Sequence, residues 1–173
     1  MRFTIRRAEI ADAASIARVH VASWRSTYGG IVPQAYLDSL EETVFASRWQ
    51  QWLGEQKVTT LVAGDDVAVF GFISGGLNRE PDPSDVYDGE LYAVYLLEEY
   101  QRSGIGRAMV QALAAILRDE GRKGMMVWLL EANSAAGFYR RLGAVDVASR
   151  EIEIGGARLA EIALGWLDLR ALL

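Results

Sequence analysis

The sequence has no cysteine, a single histidine and only 3 prolines among its 173 residues. The lack of cysteine excludes disulfides, thiolate metal sites and cysteine nucleophiles, and the lone His20 excludes a histidine-rich metal centre. Catalysis is therefore expected to rely on carboxylates, tyrosines or the backbone, and no metal site is predicted. With few prolines, no polar linker and no repeat, nothing marks an internal boundary, so residues 1–173 are interpreted as a single domain.

Long apolar runs and an excess of positive charge are missing as well. Residues 1–7 alternate charged and apolar side chains, unlike a signal peptide or a membrane span, which predicts a cytoplasmic protein without a membrane partner. The formal net charge is −5, which argues against nucleic-acid binding because that affinity comes from phosphate neutralisation by Lys and Arg. A cationic substrate suits this charge better. Arg102 and Arg107 are a local exception, since they flank a glycine-bearing turn.

The spacing of apolar residues predicts an α/β (α+β) chain. Strands are predicted at residues 3–7, 58–63, 67–73, 91–97, 125–130, 145–154 and 158–166. Helices are predicted from Ala13 to about Gly29, at residues 33–40 and 41–53, from Gly104 to Gly121 and from Asn133 to Gly143. The pattern indicates a mixed sheet of about seven strands with helices on both faces.

The turn at residues 101–107, Gln-Arg-Ser-Gly-Ile-Gly-Arg, lies where a buried strand gives way to an amphipathic helix. Glycine lacks a Cβ, so the backbone can turn sharply and a ligand can approach its amides. The free N–H groups of the first helical turn would then form an anion site, to which Arg102 and Arg107 add charge. The alternative is that Gly104 and Gly106 only shape a tight connection.

Two other phosphate-binding motifs fit this turn poorly. The dinucleotide fingerprint needs a small residue where Met109 stands. A P-loop needs Lys and then Ser or Thr after its glycine, whereas Gly106 is followed by Arg107 and Ala108.

Two segments carry a resemblance to a known family. Residues 90–109, a hydrophobic strand followed by Gln101 and the Gly104-Ile-Gly106 turn, resemble the acetyl-CoA motif of GNAT acetyltransferases. Residues 133–143, with Asn133, Phe138-Tyr139 and Leu-Gly, are similar to the next motif of that family. The order of elements is also similar from the first strand to the closing hairpin.

The resemblance implies a GNAT fold, in which a mostly antiparallel mixed sheet splays into a V between strands four and five. It further implies an N-acetyltransferase that moves the acetyl group of acetyl-CoA onto a primary amine of a small molecule or peptide by direct sequential attack. The alternative is a module of the same fold that binds acyl-CoA as a sensor or partner domain without turnover.

The resemblance also places the cofactor contacts. The backbone at Val94, Tyr95 and Leu96 would pair with the pantetheine arm, and an N–H near Leu96 would polarise the thioester carbonyl. The remaining cofactor-binding residues are expected to be Gln101, Arg102, Ser103, Gly104, Ile105, Gly106, Arg107, Asn133 and Phe138.

Two side chains are candidates for proton transfer. Glu90 has the spacing of the strand-four glutamate base of GNAT histone acetyltransferases, and strand alternation predicts that it shares a face with Tyr92, Val94 and Leu96. A solvated glutamate at a strand start is the alternative, with Glu131 as the reserve base. Tyr139 is predicted to protonate the leaving thiolate, although a tyrosine at a helix edge can also simply pack.

The acceptor side carries fewer signals. Trp24 and Tyr28, at the end of the first helix, are candidates for an aromatic wall against an amine. His20 lies on the same apolar stripe and is interpreted as a core histidine. The loop before the fourth strand is acidic, which is compatible with steering a cationic substrate or with a solvated loop; its acidic residues are Glu80, Asp82, Asp85, Asp88 and Glu90. Exposed strands near the C-terminal hairpin are compatible with a homodimer.

Overall fold

A computed structural model describes residues 2–80 and 86–173. Asp82 and Asp85 of the acidic loop lie outside the described residues. The strands are β1 (Thr4–Arg7), β2 (Thr59–Gly64), β3 (Val69–Leu77), β4 (Gly89–Leu96), β5 (Met125–Leu130), β6 (Val145–Ile154) and β7 (Ala157–Trp166). The helices are α1 (Ala13–Tyr28), α2 (Gln34–Asp38), α3 (Glu42–Glu55), α4 (Ile105–Asp119) and α5 (Ala135–Arg141).

The strands form one 7-stranded sheet in the order β1-β2-β3-β4-β5-β7-β6. Every neighbouring pair is antiparallel except β4 and β5. The β4–β5 ladder joins only residues 89–91 to residues 125–127, so the later halves of these two strands are not paired with each other. The predicted mixed sheet and its V-shaped splay are both confirmed.

Helices cover both faces of the sheet, as the sequence pattern predicts. On one face, His20 of α1 packs its ring against Phe72 of β3 and stacks on Tyr95 of β4. On the other face, Met109 of α4 lies against Gly71 of β3, close to where a Cβ would stand. Apolar residues recur every three or four positions along α4 and form a stripe that is buried against the sheet. Burial of each large side chain in this stripe stabilises the folded state by about 1.5–3 kcal/mol.

A register shift in the β3–β4 ladder changes one expectation about side-chain faces. The shift lies between Ser74 and Gly75, opposite Tyr92, and it breaks the simple alternation of β4. Leu96 lies opposite Gly71, which faces α4, whereas Glu90 lies opposite Gly76, whose missing Cβ would meet the Tyr92 hydroxyl. Successive side chains on a strand point to opposite faces, and these two glycines are an odd number of positions apart on β3, so they face opposite sides. Residues paired across strands share a face, so Leu96 and Glu90 also lie on opposite faces. The expectation that they share a face is wrong.

The closing hairpin follows its predicted turn chemistry. Gly155 and Gly156 have φ values of 58° and 82°, the left-handed pair that a type I′ turn requires. A Cβ at Gly155 would lie 2.7 Å from Tyr36, so the hairpin tip is pressed against α2. Among the described residues, no helix is long and apolar enough to cross a membrane.

Candidate active site

A cleft of about 720 Å³ occupies the gap where β4 and β5 diverge. Its walls come from both strands, from the turn before α4, from α5 and from the C-terminal half of α1. The splay thus opens a site at the centre of the sheet, next to two helix N-termini.

Backbone amides of β4 point into this gap. Leu97 N donates to Phe70 O at 3.0 Å, so Leu97 and Phe70 form a hydrogen-bonded pair of the antiparallel β3–β4 ladder. Since hydrogen-bonded and non-bonded pairs alternate in an antiparallel ladder, the amides of Val94 and Leu96 face away from β3 and toward the splay. The same alternation pairs the backbone of Tyr95 with Phe72 on β3. Tyr95 nevertheless lines the cleft, so its contact with a cofactor stays a prediction.

The turn between β4 and α4 presents a row of free amides. Gly104 caps the helix at φ 86°, and Arg102 also has a left-handed φ of 58°. Gln101 holds the turn against the strand, since its Nε2 donates to Leu96 O at 3.0 Å. Across the described residues, none of the amides of residues 102–107 has a hydrogen-bond acceptor. Such a row at the N-terminus of a 15-residue helix has a geometry that favours an anion.

Cationic side chains stand around this row of amides. Arg102 and Arg107 are exposed, line the cleft and form no ion pair with any described residue. Arg141 of α5 lines the cleft as well, and the sequence analysis did not select it. Ser103 and Ile105 do not line the cleft, because the Ser103 hydroxyl donates to Tyr100 O and the Ile105 side chain is buried in the core. Only the backbone of these two residues is free for a ligand.

Asn133 and Phe138 also line the cleft. Asn133 is buried, and its side chain is engaged at both ends. Its Oδ1 accepts from Ala135 N at 2.9 Å, which caps α5, and its Nδ2 donates to the Tyr28 hydroxyl at 3.2 Å. The Phe138 ring lies 3.5 Å from the position of a Cβ on Gly106, an ordinary van der Waals distance, so α5 packs against the start of α4.

Tyr139 is a buried residue at the inner end of the cleft. Its ring packs edge-on against Trp166 at 5.9 Å between centroids. Burial raises the pKa of the Tyr139 hydroxyl, and the nearby Tyr28 raises this pKa further. The phenol is therefore protonated throughout the neutral range, which is the state that a proton donor needs.

Neither carboxylate considered as a base lines the cleft. The Glu90 side chain is 2% exposed and accepts from Arg79 Nη2 at 2.5 Å and from Arg79 N at 2.9 Å. Glu131 is exposed at the end of β5. Within the described residues, no aspartate or glutamate lines the cleft, so the base role of Glu90 stays a prediction without a geometric counterpart.

The acceptor end of the cleft is aromatic and polar. Tyr28 lines it as expected, whereas Trp24 does not and packs between Tyr28 and Tyr36. His20 is confirmed as a core histidine, because Trp49 Nε1 donates to its Nδ1 at 3.3 Å and burial lowers its pKa to about 4.

Further residues at this end were not selected from the sequence: Ser23, Thr27, Tyr92 and Trp128. The four-residue spacing of Ser23 and Thr27, which puts both on one face of α1, is a signal that could have identified them. The part of the chain that the structure describes contains no group of three or more metal-ligating side chains.

Comparisons with known proteins agree with this geometry. A family model described as "Acetyltransferase (GNAT) family" matches residues 20–144. An uncharacterized N-acetyltransferase of Bacillus subtilis, YuaI, is 44% identical over 170 residues, which cover 98% of this chain and 95% of that protein.

Solved structures show the same fold. The PaiA N-acetyltransferase from Thermoplasma acidophilum in complex with coenzyme A has a TM-score of 0.71 and 22% identity, covering 93% of this chain and 98% of its own. The acetyltransferase YncA from Salmonella typhimurium with acetyl-CoA has a TM-score of 0.71 and 20% identity, covering 98% and 95% of the two chains. With its cleft, its free amides and a family model that spans most of its length, the chain belongs to the GNAT acetyltransferase family.

Proposed function

We propose that this protein is an N-acetyltransferase that moves the acetyl group of acetyl-CoA directly onto a primary amine of a small molecule or peptide. One observation carries the proposal. One continuous cleft is lined by the turn with the unpaired amides, through Arg102, Gly104, Gly106 and Arg107, by Val94 and Leu96 with their inward-facing amides, and by the buried Tyr139. This order matches the diphosphate, the pantetheine arm and the sulfur of one extended molecule.

The diphosphate end is supported by charge and by backbone geometry. The amides of residues 102–107 would bind the diphosphate oxygens, assisted by the α4 dipole and by Arg102 and Arg107. Arg141, which also lines the cleft, adds a third guanidinium for phosphate. The coenzyme A and acetyl-CoA complexes of the PaiA and YncA structures support this assignment by analogy of fold.

The reacting end is supported by the amides of β4 and by Tyr139. The Leu96 amide would donate to the thioester carbonyl, which favours the negative charge that develops on its oxygen. The amine nitrogen bonds to the acyl carbon while the carbon–sulfur bond breaks, and Tyr139 gives its proton to the departing sulfur. The proton that the nitrogen loses as the amide forms returns to Tyr139 through solvent. An enzyme thioester is excluded, because the chain has no cysteine.

The amine must lose a proton, since an ammonium group has no lone pair. Because no acidic side chain lines the described part of the cleft, we expect the amine to bind neutral or to release its proton to solvent. The pH at which kcat/KM rises should then follow the pKa of the acceptor amine. A rise at one fixed pH with every amine would instead indicate a base on the enzyme.

The test is to follow thiol release from acetyl-CoA with the purified protein across a panel of primary amines. Amine-dependent release with an equal amount of acetylated product supports the proposal. Binding of acetyl-CoA without release on any amine would favour the acyl-CoA-binding module instead.

A further inference from the structure

Two aromatic rings that line the cleft each carry an arginine on one face, although neither arginine lines the cleft itself. Arg79 Cζ lies 4.2 Å from the centroid of the Tyr92 ring, and Arg150 Cζ lies 3.9 Å from the centroid of the Trp128 ring. Both rings line the cleft. An ammonium group would normally bind such ring faces, but here a guanidinium of the protein already occupies a face of each.

Both arginines are held by carboxylates yet keep free donors. Arg79 is bound by Glu90 through Nε and Nη2. Arg150 Nε donates to Glu161 at 2.7 Å, and Arg150 Nη1 donates to Glu80. A guanidinium has five N–H donors, so Nη1 of Arg79 and Nη2 of Arg150 are left without a partner among the described residues.

The two carboxylates on Arg150 differ in how firmly they are placed. The side chain of Glu161 is 12% exposed and lies on β7, within the sheet. The side chain of Glu80 is 56% exposed and lies in the loop after β3. Burial raises the pKa of Tyr28, and the charge of Glu161 adds to this effect, so Glu161 lies close enough to act on a residue that lines the cleft. Glu80 is therefore the exchangeable partner and Glu161 the permanent one.

Two buried polar atoms at the acceptor end of the cleft have no protein partner. Ser23 is 3% exposed and lines the cleft, and its Oγ has no hydrogen bond among the described residues. Trp128 Nε1 is also buried and unpaired within that part of the chain. An indole N–H can only donate, so its partner must be an acceptor atom. Leaving such groups unpaired is costly, so each is expected to pair with an oxygen atom of water or of a ligand.

From these contacts we infer that the acceptor amine also carries a carboxylate or a comparable oxyanion, which binds the free donors of Arg150 in place of Glu80 and reaches the unpaired donors beside it. An amine without such a group supplies no acceptor atom for these N–H donors. For a polycationic amine, a guanidinium already covers a face of the Tyr92 ring and a face of the Trp128 ring. The nearby carboxylates are already paired with these two arginines. The inference adds an anionic group to the cationic substrate that the net charge favours, and it rests on the proposed acetyltransferase activity.

The first test compares matched amines that differ only in the carboxylate. L-amino acids are assayed against the amines formed by their decarboxylation, together with putrescine and spermidine, and aminoethylphosphonate tests whether a phosphonate replaces the carboxylate. We expect kcat/KM, calculated from the concentration of neutral amine at the assay pH, to be about tenfold or more higher for the carboxylate-bearing member of the preferred pair. Turnover that is equal within pairs, or best with spermidine, would overturn the inference while leaving the acetyltransferase activity standing. Absence of thiol release with every amine would instead overturn the proposed function itself.

The second test uses three variants. Arg150→Met should raise KM for the carboxylate-bearing amine by about tenfold or more, with KM for acetyl-CoA changed less than about twofold. Glu80→Gln removes the competing carboxylate from an exposed loop position, so it should lower KM for the same amine. Arg170→Met, which removes an exposed arginine paired with Asp168, is the matched control and should change neither constant. A raised KM in Glu80→Gln would contradict the inference, because Glu80 would then attract the substrate.

Discussion

The ion pair between Arg79 and Glu90 offers a sharp test of whether Glu90 serves the fold or the chemistry. The carboxylate is 2% exposed and is bound by Arg79 through Nη2 at 2.5 Å, through Nε at 3.1 Å and through the backbone amide at 2.9 Å. Arg79→Met removes the two side-chain contacts and leaves a buried negative charge with one hydrogen bond. Breaking a fully buried pair in this way costs about 3–5 kcal/mol.

The loss of stability expected for Arg79→Met is smaller than this, because the side chain of Arg79 is 62% exposed and water screens the ion pair. We therefore expect Arg79→Met to lower the free energy of unfolding by about 2–3 kcal/mol. In a protein of this size, that loss corresponds to a fall in Tm of about 4–12 °C. Glu90→Gln keeps an oxygen for the Arg79 amide and buries no charge, so it should cost only about 1 kcal/mol.

The double variant Arg79→Met/Glu90→Gln decides between the two roles. Once the buried charge is gone, losing the arginine should cost little stability. The double variant should therefore lose about 1–2 kcal/mol less free energy of unfolding than the two single variants lose in total. Urea unfolding measures this coupling, and Arg170→Met is the surface control, expected within about 0.5 kcal/mol of the parent. Coupling near zero would refute the structural role. A kcat that collapses in Glu90→Gln with unchanged stability would restore Glu90 as the base.

Two further predictions concern proton chemistry. Tyr139→Phe should lower kcat by about 10²-fold or more while leaving the Kd for acetyl-CoA unchanged, and full turnover in this variant would reject Tyr139 as the acid. The pKa of His20 is lowered by burial from an ordinary value of 6.5 to about 4, so its stabilising contribution is full above about pH 6.5 and is lost as the pH falls toward 4. Urea unfolding should therefore show about 2 kcal/mol less stability at pH 5 than at pH 7 from this group, a difference that His20→Phe should remove.

The sequence predicted the order of elements well, because the spacing of apolar residues and the glycines that end helices depend on local structure alone. The stretch at residues 125–130 was assigned as a strand with the observed bounds, and the hairpin turn at Gly155 and Gly156 was placed correctly. The free amides before α4 agree with the interpretation of Gly104 and Gly106 as a turn that opens a helix, although the sequence left open whether these glycines only shape a tight connection.

Side-chain faces and long-range partners could not be predicted from spacing. The register shift opposite Tyr92 moves Glu90 to the other face from Leu96, and nothing in the local sequence of β4 marks that bulge. The partner of Glu90 is Arg79, on a loop at the far end of β3, and the partner of Arg150 is Glu161 across a strand pair. Such contacts depend on tertiary packing, so the chemistry of the acceptor end emerged only from the structure.

The central claim is that the amides of residues 102–107 bind the diphosphate of coenzyme A. Isothermal titration calorimetry of the purified protein with coenzyme A tests it most directly. We expect one site per chain, with an affinity that weakens as salt is raised because three guanidinium groups and a helix N-terminus act on phosphate. If coenzyme A produces no binding heat at low salt and fails to compete with acetyl-CoA, the cleft has been assigned to the wrong ligand.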